Sequence, residues 1–216
     1  LFSFNSIAQN SERKFKIHTL AFYNLENLFD TINDVNKNDE ASPIMEIKFN
    51  RSGIYKQKVT NMAKVISEIG YEVTKRPPSI IGICEVENRK VVEDLISDEK
   101  LKNQNYGIVH YESPDDRGID VGLIYNKDVF IIKNSNSHDV FITDNNSSKR
   151  RNTRDQLVVS GLLDGELLHI IVNHWPSRGA DETKRIAAAE INNLIIDSLR
   201  NIHNDPKIIT MGDFND

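Results

Sequence analysis

The sequence predicts a layered α/β sandwich. Three observations predict it. Short apolar runs with strand character outnumber the helical stretches, two amphipathic helices stand between some of them, and no repeat, low-complexity tract or interdomain linker divides the chain. The 216 residues suit one globular domain, long enough to bury a sizeable core. A net charge of -5 argues against a generally basic nucleic-acid coat and leaves room for a local positive groove. Cys84 is the single cysteine, which excludes an intramolecular disulfide; its apolar surroundings make it a small buried hydrophobe.

The first strand is expected at 15–23, where apolar and polar residues alternate. Residues 31–52 are polar and irregular and read as a long loop. Residues 54–69 form a helix with Tyr55, Val59, Met62, Ile66 and Ile69 on one stripe, closed by Gly70. Pro77 and Pro78 break the chain. The continuous apolar run 79–84 is a strand covered on both faces. Asn88 caps a helix expected to reach Leu101. Strands follow at 106–111 and 119–125, then at 129–133 and 138–143, before a polar loop at 144–152. Residues 154–163 and 166–172 make a hairpin around Asp164-Gly165. Asp181 caps a second long helix with the stripe Ala188, Ile191, Ile195, Leu199 and Ile202, and 207–211 is the last strand.

Four strands end in polar clusters: Asn24 and Glu26, Glu85, His174, and Asp213 with Asn215. Each cluster alone also suits a cap or a turn. Together they suit one chemistry. Carboxylate and amide oxygens fit a hard cation such as Mg²⁺, and one imidazole is too few for a typical zinc site. A histidine beside such a cation can donate to a phosphoryl oxygen or carry a proton. The phosphate loop G-x-x-x-x-G-K-[ST] and the serine-hydrolase elbow G-x-S-x-G are both missing from the sequence.

The ordered motifs Phe22-Tyr-Asn24-Leu-Glu26-Asn27-Leu28, Ile83-Cys-Glu85, Arg117-Gly-Ile-Asp120-Val-Gly-Leu, Asn173-His174-Trp-Pro-Ser177 and Gly212-Asp213-Phe-Asn215 carry a resemblance. They resemble the DNase-I-like endonuclease/exonuclease/phosphatase superfamily, and most of all its secreted bacterial nucleases. The resemblance implies a four-layer α/β/β/α sandwich and metal-dependent phosphodiester hydrolysis. It implies that Asn24, Glu85 and Glu26 hold the divalent ion, Mg²⁺ with Mn²⁺ or Ca²⁺ as alternatives. His174 would stabilise the scissile phosphate, and Asp213 and Asn215 would orient the attacking water and the phosphate. Arg117, Asp120 and Arg154 match positions that shape or line the substrate groove in some relatives. The family closes with a further segment ending in an Asp-His pair, and this sequence stops before it. The chain as it stands is therefore expected to be truncated at its carboxyl end, inactive, and to leave part of its second sheet unpaired.

Residues 1–8 read as the remnant of a secretory signal peptide, with small residues Ser6 and Ala8 before a cleavage point and polar residues directly after. That places an incomplete domain at 15–216 of an exported protein, periplasmic or extracellular. No apolar run reaches the roughly 18 residues of a membrane span. A monomer acting on DNA or RNA is the expected state. Two other readings stay open: a phosphoesterase of the same superfamily acting on a phospholipid or small phosphate ester, and a non-catalytic binding protein on the same scaffold.

Overall fold

The computed structural model describes residues 15–143 and 150–215. The signal-peptide reading, most of the polar loop at 144–152 and Asp216 lie outside them. The chain runs β1 (Leu20–Leu28), a 3₁₀ turn (Asp39–Ala41), α1 (Pro43–Glu46), α2 (Arg51–Glu68), α3 (Tyr71–Thr74), β2 (Ile80–Val86) and α4 (Arg89–Ile96). There follow β3 (Tyr106–His110), β4 (Asp120–Asn126), β5 (Phe130–His138), β6 (Ile142–Thr143), β7 (Arg150–Arg151), β8 (Gln156–Leu163), β9 (Glu166–His174), α5 (Glu182–Ile202) and β10 (Lys207–Asp213).

Two four-stranded sheets stack face to face. Their orders are β1-β2-β4-β3 and β10-β9-β8-β5, with β6 and β7 as a separate ribbon. The layer between the sheets is apolar: Ile80, Cys84, Leu123, Phe130, Leu157, Val159, Ile170 and Val172 meet there. Cys84 is fully buried in it. A second apolar layer lies outside the first sheet. There Val59, Met62 and Ile66 of α2 and Val91, Val92 and Leu95 of α4 cover Leu25, Ile81 and Ile83. Ile195 of α5 packs on Val158 and Ile171 outside the second sheet. This is the expected α/β/β/α sandwich.

Each sheet holds one parallel pair, β1 with β2 and β9 with β10. A parallel pair needs a crossover between its strands, and α2 and α5 lie on those crossovers. Both pairs therefore present the carboxyl ends of adjacent strands, the side on which open α/β sheets hold ligands. Strand β10 packs across β1 and β2 of the other sheet, so the two ends converge.

Local chemistry explains the element boundaries. The Asn88 side chain caps α4 by accepting from Val91 N at 3.1 Å. The helix ends at Ile96 instead of reaching Leu101, because the Asp98 side chain accepts from Lys100 N and stabilises a turn. Asp164 (φ 47°) and Gly165 (φ 92°) are both left-handed, as a two-residue hairpin turn of the primed kind requires. Asp181 accepts from Thr183 N and caps α5.

Several expectations shift. The first strand starts at Leu20, not at 15, since Pro77 and Pro78 offer no N–H to extend its ladder with β2. The loop at 31–52 contains the 3₁₀ turn, α1 and the start of α2. The strand expected at 129–133 runs on to His138 as β5, whose polar second half pairs with β8 through its backbone and not through apolar side chains, and of the strand expected at 138–143 only Ile142–Thr143 forms a further strand, β6. Ile202, placed on the buried stripe of α5, is 71% exposed.

Candidate active site

The expected polar clusters lie inside the strand ends, not after them. Asn24 pairs with Cys84, and the next pair is Leu28 with Val86, so extra residues bulge from β1. Glu26 (φ 50°) and Asn27 (φ 56°) sit in that bulge in the left-handed region. Glu85 is likewise the extra residue between the pairs Cys84–Val121 and Val86–Asp120, at φ 59°. Non-glycine residues rarely hold this conformation, which costs roughly 1–3 kcal/mol and gathers at functional sites. The bulges re-aim side chains that a regular strand would have turned elsewhere.

The Asn24 amide joins the two sheets. Its Nδ2 donates to Glu85 Oε1 at 3.0 Å and to Asp213 Oδ2 at 3.2 Å. Its Oδ1 accepts from Glu26 N at 2.7 Å, closing the bulge. Glu85 Oε2 accepts from Asn27 N at 2.9 Å. Lys58 of α2 clamps the bulge by donating to the carbonyls of Glu26 and Asn27.

His174 ends β9 and pairs in register with Asp213, the last residue of β10. Its Nε2 lies 3.7 Å from Glu85 Oε1. Ligand atoms of Glu85, His174 and Asp213 all fall within 4.8 Å of one another. Burial, with help from the charges of Arg154 and Arg117, pushes the His174 pKa down to about 3, so the ring is neutral near pH 7. Its Nδ1 is buried without a hydrogen-bond partner.

Gly212 makes this register possible. A Cβ there would sit 2.3 Å from the Asn173 carbonyl oxygen. After it, Asp213 Oδ1 accepts from Asn215 N at 3.1 Å. The Asn215 amide donates to the Trp175 carbonyl at 3.0 Å, and the Trp175 N–H donates to the Asp213 carbonyl at 2.9 Å. The Trp175 and Phe214 rings pack edge to face, 4.8 Å apart.

The donor set fits a hard divalent cation. Two carboxylates converge on a single amide nitrogen, which stands where a shared positive charge belongs. Turning that amide would offer an oxygen in its place, at the loss of its hydrogen bond from Glu26 N.

The sequence matches the Endonuclease/Exonuclease/phosphatase family over residues 19–216. The chain belongs to that family. Solved structures agree on the fold. The chain is similar to ANGEL2, a 2′,3′-cyclic phosphatase, at 14% identity and a TM-score of 0.61, covering 92% of this chain and 52% of that one. It is similar to TDP2 from Caenorhabditis elegans at 15% identity and a TM-score of 0.54, covering 83% and 45%. An endonuclease/exonuclease/phosphatase family protein from Bacteroides thetaiotaomicron gives 16% identity and a TM-score of 0.54, covering 91% and 62%. The chain thus spans about half the length of the first two of these structures. No curated protein matches the sequence.

Of the residues that the family resemblance singles out, the structure brings Asn24, Glu85, His174 and Asp213 together. Three others stand differently. The Glu26 side chain is exposed and outside the cluster, because its left-handed backbone turns it to solvent. Asn215 braces the turn at Trp175 instead of facing the carboxylates. Asp120 is fully buried, held by His110 Nε2 at 3.1 Å and by the N–H and hydroxyl of Ser113, and so is closed off from solvent. Arg154 is 7% exposed and donates to the Trp175 carbonyl at 2.6 Å. Arg117 lies at the surface beside it. The sequence reading missed Lys58 and Asp115. Lys58 looks like any cation on the polar face of a helix, and Asp115 like any turn residue.

Proposed function

We propose that the protein is a divalent-metal-dependent phosphodiesterase acting on nucleic acid, exported from the cell and working as a monomer. The observation that carries this reading is the convergence of Glu85, His174 and Asp213 from two sheets, bridged by Asn24. Glu85, with the Asn24 oxygen after its amide turns, would hold the cation; Mg²⁺ suits such oxygens, and Mn²⁺ can replace it. When bound, such an ion neutralises charge on phosphoryl oxygens. Neutral His174 carries one N–H; on Nε2, that donor reaches a phosphoryl oxygen at the cluster and stabilises charge as it builds up. Asp213 accepts the proton of the attacking water and fixes its direction. With its amide unturned, Asn24 is held by Glu26 N and sets the separation of Asp213 and Glu85.

A second reading keeps the chemistry and changes the substrate to a phospholipid or a small phosphate ester. The net charge of -5 favours it, since a long polyanion gains less from an acidic protein. The test offers the full-length protein plasmid DNA, RNA and sphingomyelin vesicles with Mg²⁺ or Mn²⁺. The expected result is nucleic-acid cleavage that EDTA abolishes. Turnover of lipid alone would overturn the nuclease reading, and turnover of no phosphodiester would overturn the hydrolase reading itself.

A further inference from the structure

Pro176, two residues after His174, helps to line a cavity of about 340 Å³ whose walls include Asp115, Asp116, Arg117, Arg154 and Lys184. One carboxylate organises its cationic side. Asp115 is 4% exposed. Its Oδ1 accepts from the Arg117 N–H at 3.0 Å and from Arg117 Nε at 3.4 Å. Its Oδ2 accepts from Arg117 Nη2 at 3.5 Å and from Arg154 Nη1 at 3.4 Å. Two guanidinium groups thus share one buried anion.

The two arginines differ in what they are free to do. Arg154 is buried and tied to the Trp175 carbonyl, which also receives the Asn215 amide. Its Nε is buried without a partner. Arg117 keeps a side chain that is 53% exposed, on the mouth of the same cavity. Asp115 therefore fixes Arg154 against the turn that follows His174. It also holds Arg117 through its N–H, Nε and Nη2, on a side chain that stays 53% exposed.

We infer that Asp115 is a positioning residue that holds the Arg117–Arg154 pair beside His174 to receive an anionic phosphodiester. The inference rests on the proposed phosphodiesterase reading and adds a residue to it. The three groups together carry one net positive charge, enough to attract a phosphate without closing the cavity to it. Arginine suits the task because its planar fork matches phosphate oxygens.

The sign of one substitution separates positioning from simple charge. Asp115→Asn removes a negative charge from the anion-binding side. If Asp115 acted only through its charge, the loss would strengthen substrate binding and lower KM. A positioning role predicts the opposite: KM rises, and kcat/KM falls about tenfold to a hundredfold, as a misplacement of about 1 Å does. The experiment measures kcat and KM of the full-length protein on bis(p-nitrophenyl) phosphate with Mn²⁺. It compares wild type, Asp115→Asn, Asp115→Glu and Asp116→Asn. Asp116 lines the same cavity from an exposed position and accepts from the Asn152 amide but from neither arginine, so its variant removes the same charge without releasing the pair. Loss in Asp115→Asn, partial rescue in Asp115→Glu and a KM at or below the wild-type value in Asp116→Asn are expected. Equal behaviour of the two Asn variants, or a lower KM for Asp115→Asn, would overturn the inference while wild-type turnover leaves the phosphodiesterase reading standing. A wild type without turnover overturns both. Should Asp115→Asn not fold, half-exposed Arg117→Ala decides: it is expected to raise KM to the same extent, and wild-type kinetics would overturn the role.

Discussion

Gly212→Ala should disable the site through the backbone. The added Cβ would lie 2.3 Å from the Asn173 carbonyl oxygen, 2.7 Å from the Asn173 Cβ and 2.8 Å from its carbonyl carbon. Ordinary contact begins at 3.4 Å, so β9 and β10 must separate by about 1.1 Å, the difference between 3.4 and 2.3 Å. Two of the three obstructing atoms belong to the backbone and cannot swing aside. Overpacking of this kind costs roughly 1–3 kcal/mol, and in a domain of this size each kcal/mol lowers Tm by about 2–4 °C. The larger effect falls on function. His174 and Asp213 are the next pair in the same ladder, and a shift of about 1 Å between reacting groups costs on the order of a hundredfold in rate. Thermal unfolding and kcat/KM on bis(p-nitrophenyl) phosphate measure the two losses. Gly165→Ala is the control. It meets nothing within 4 Å but forces alanine into φ 92°, so it should lower Tm and leave kcat/KM unchanged. If Gly212→Ala kept wild-type kcat/KM, the account of the β9–β10 register as the device that sets the site would be refuted.

Lys58→Met keeps the apolar stem and removes the cation that clamps the Glu26 and Asn27 carbonyls; Tm should fall by the equivalent of about 1 kcal/mol, with a roughly tenfold loss of kcat/KM. Unchanged kinetics would show that the bulge holds Asn24 without it. Mn²⁺ should raise the Tm of wild type, by about 2.7 kcal/mol of stability at a hundredfold excess over Kd, and leave Glu85→Gln unmoved; equal shifts would place the cation elsewhere. His169 is buried under α5 against His203, and burial, with the His203 charge, lowers its pKa below the ordinary 6.5. The unfolded chain then binds a proton that the fold refuses. The contribution of His169 is complete above pH 6.5 and is lost as pH falls below it. Denaturation midpoints between pH 8 and 5 should therefore drop less in His169→Gln than in wild type, and parallel curves would contradict the assignment.

The sandwich was legible because each layer writes its own period in the sequence. The β2 run is apolar without alternation since both its faces are covered, and α2 repeats Val59, Met62 and Ile66 at helical spacing. Asn24, Glu85, His174 and Asp213 could be read as strand-end clusters because the same pattern, polar residues closing an apolar run, recurs at four strands. A bulge is different in kind: it is a mismatch between two strands, and neither strand's sequence contains it. Glu26 was therefore placed among the ligands, although the bulge turns it to solvent. Asp120 looked like a groove residue because its partners, His110 and Ser113, come from β3 and the turn after it and become neighbours only when the sheet forms. Asp115 was invisible for the reason that turns and sites use the same residue types.

The most direct measurement is the rate of phosphodiester hydrolysis by the full-length protein with Mg²⁺, wild type against His174→Ala. The account predicts hydrolysis that His174→Ala lowers by about a hundredfold to a thousandfold, the usual effect of removing a donor that stabilises developing charge. Hydrolysis at the wild-type rate in His174→Ala would contradict it, since the one imidazole at the junction of the two sheets would then have no part in the chemistry.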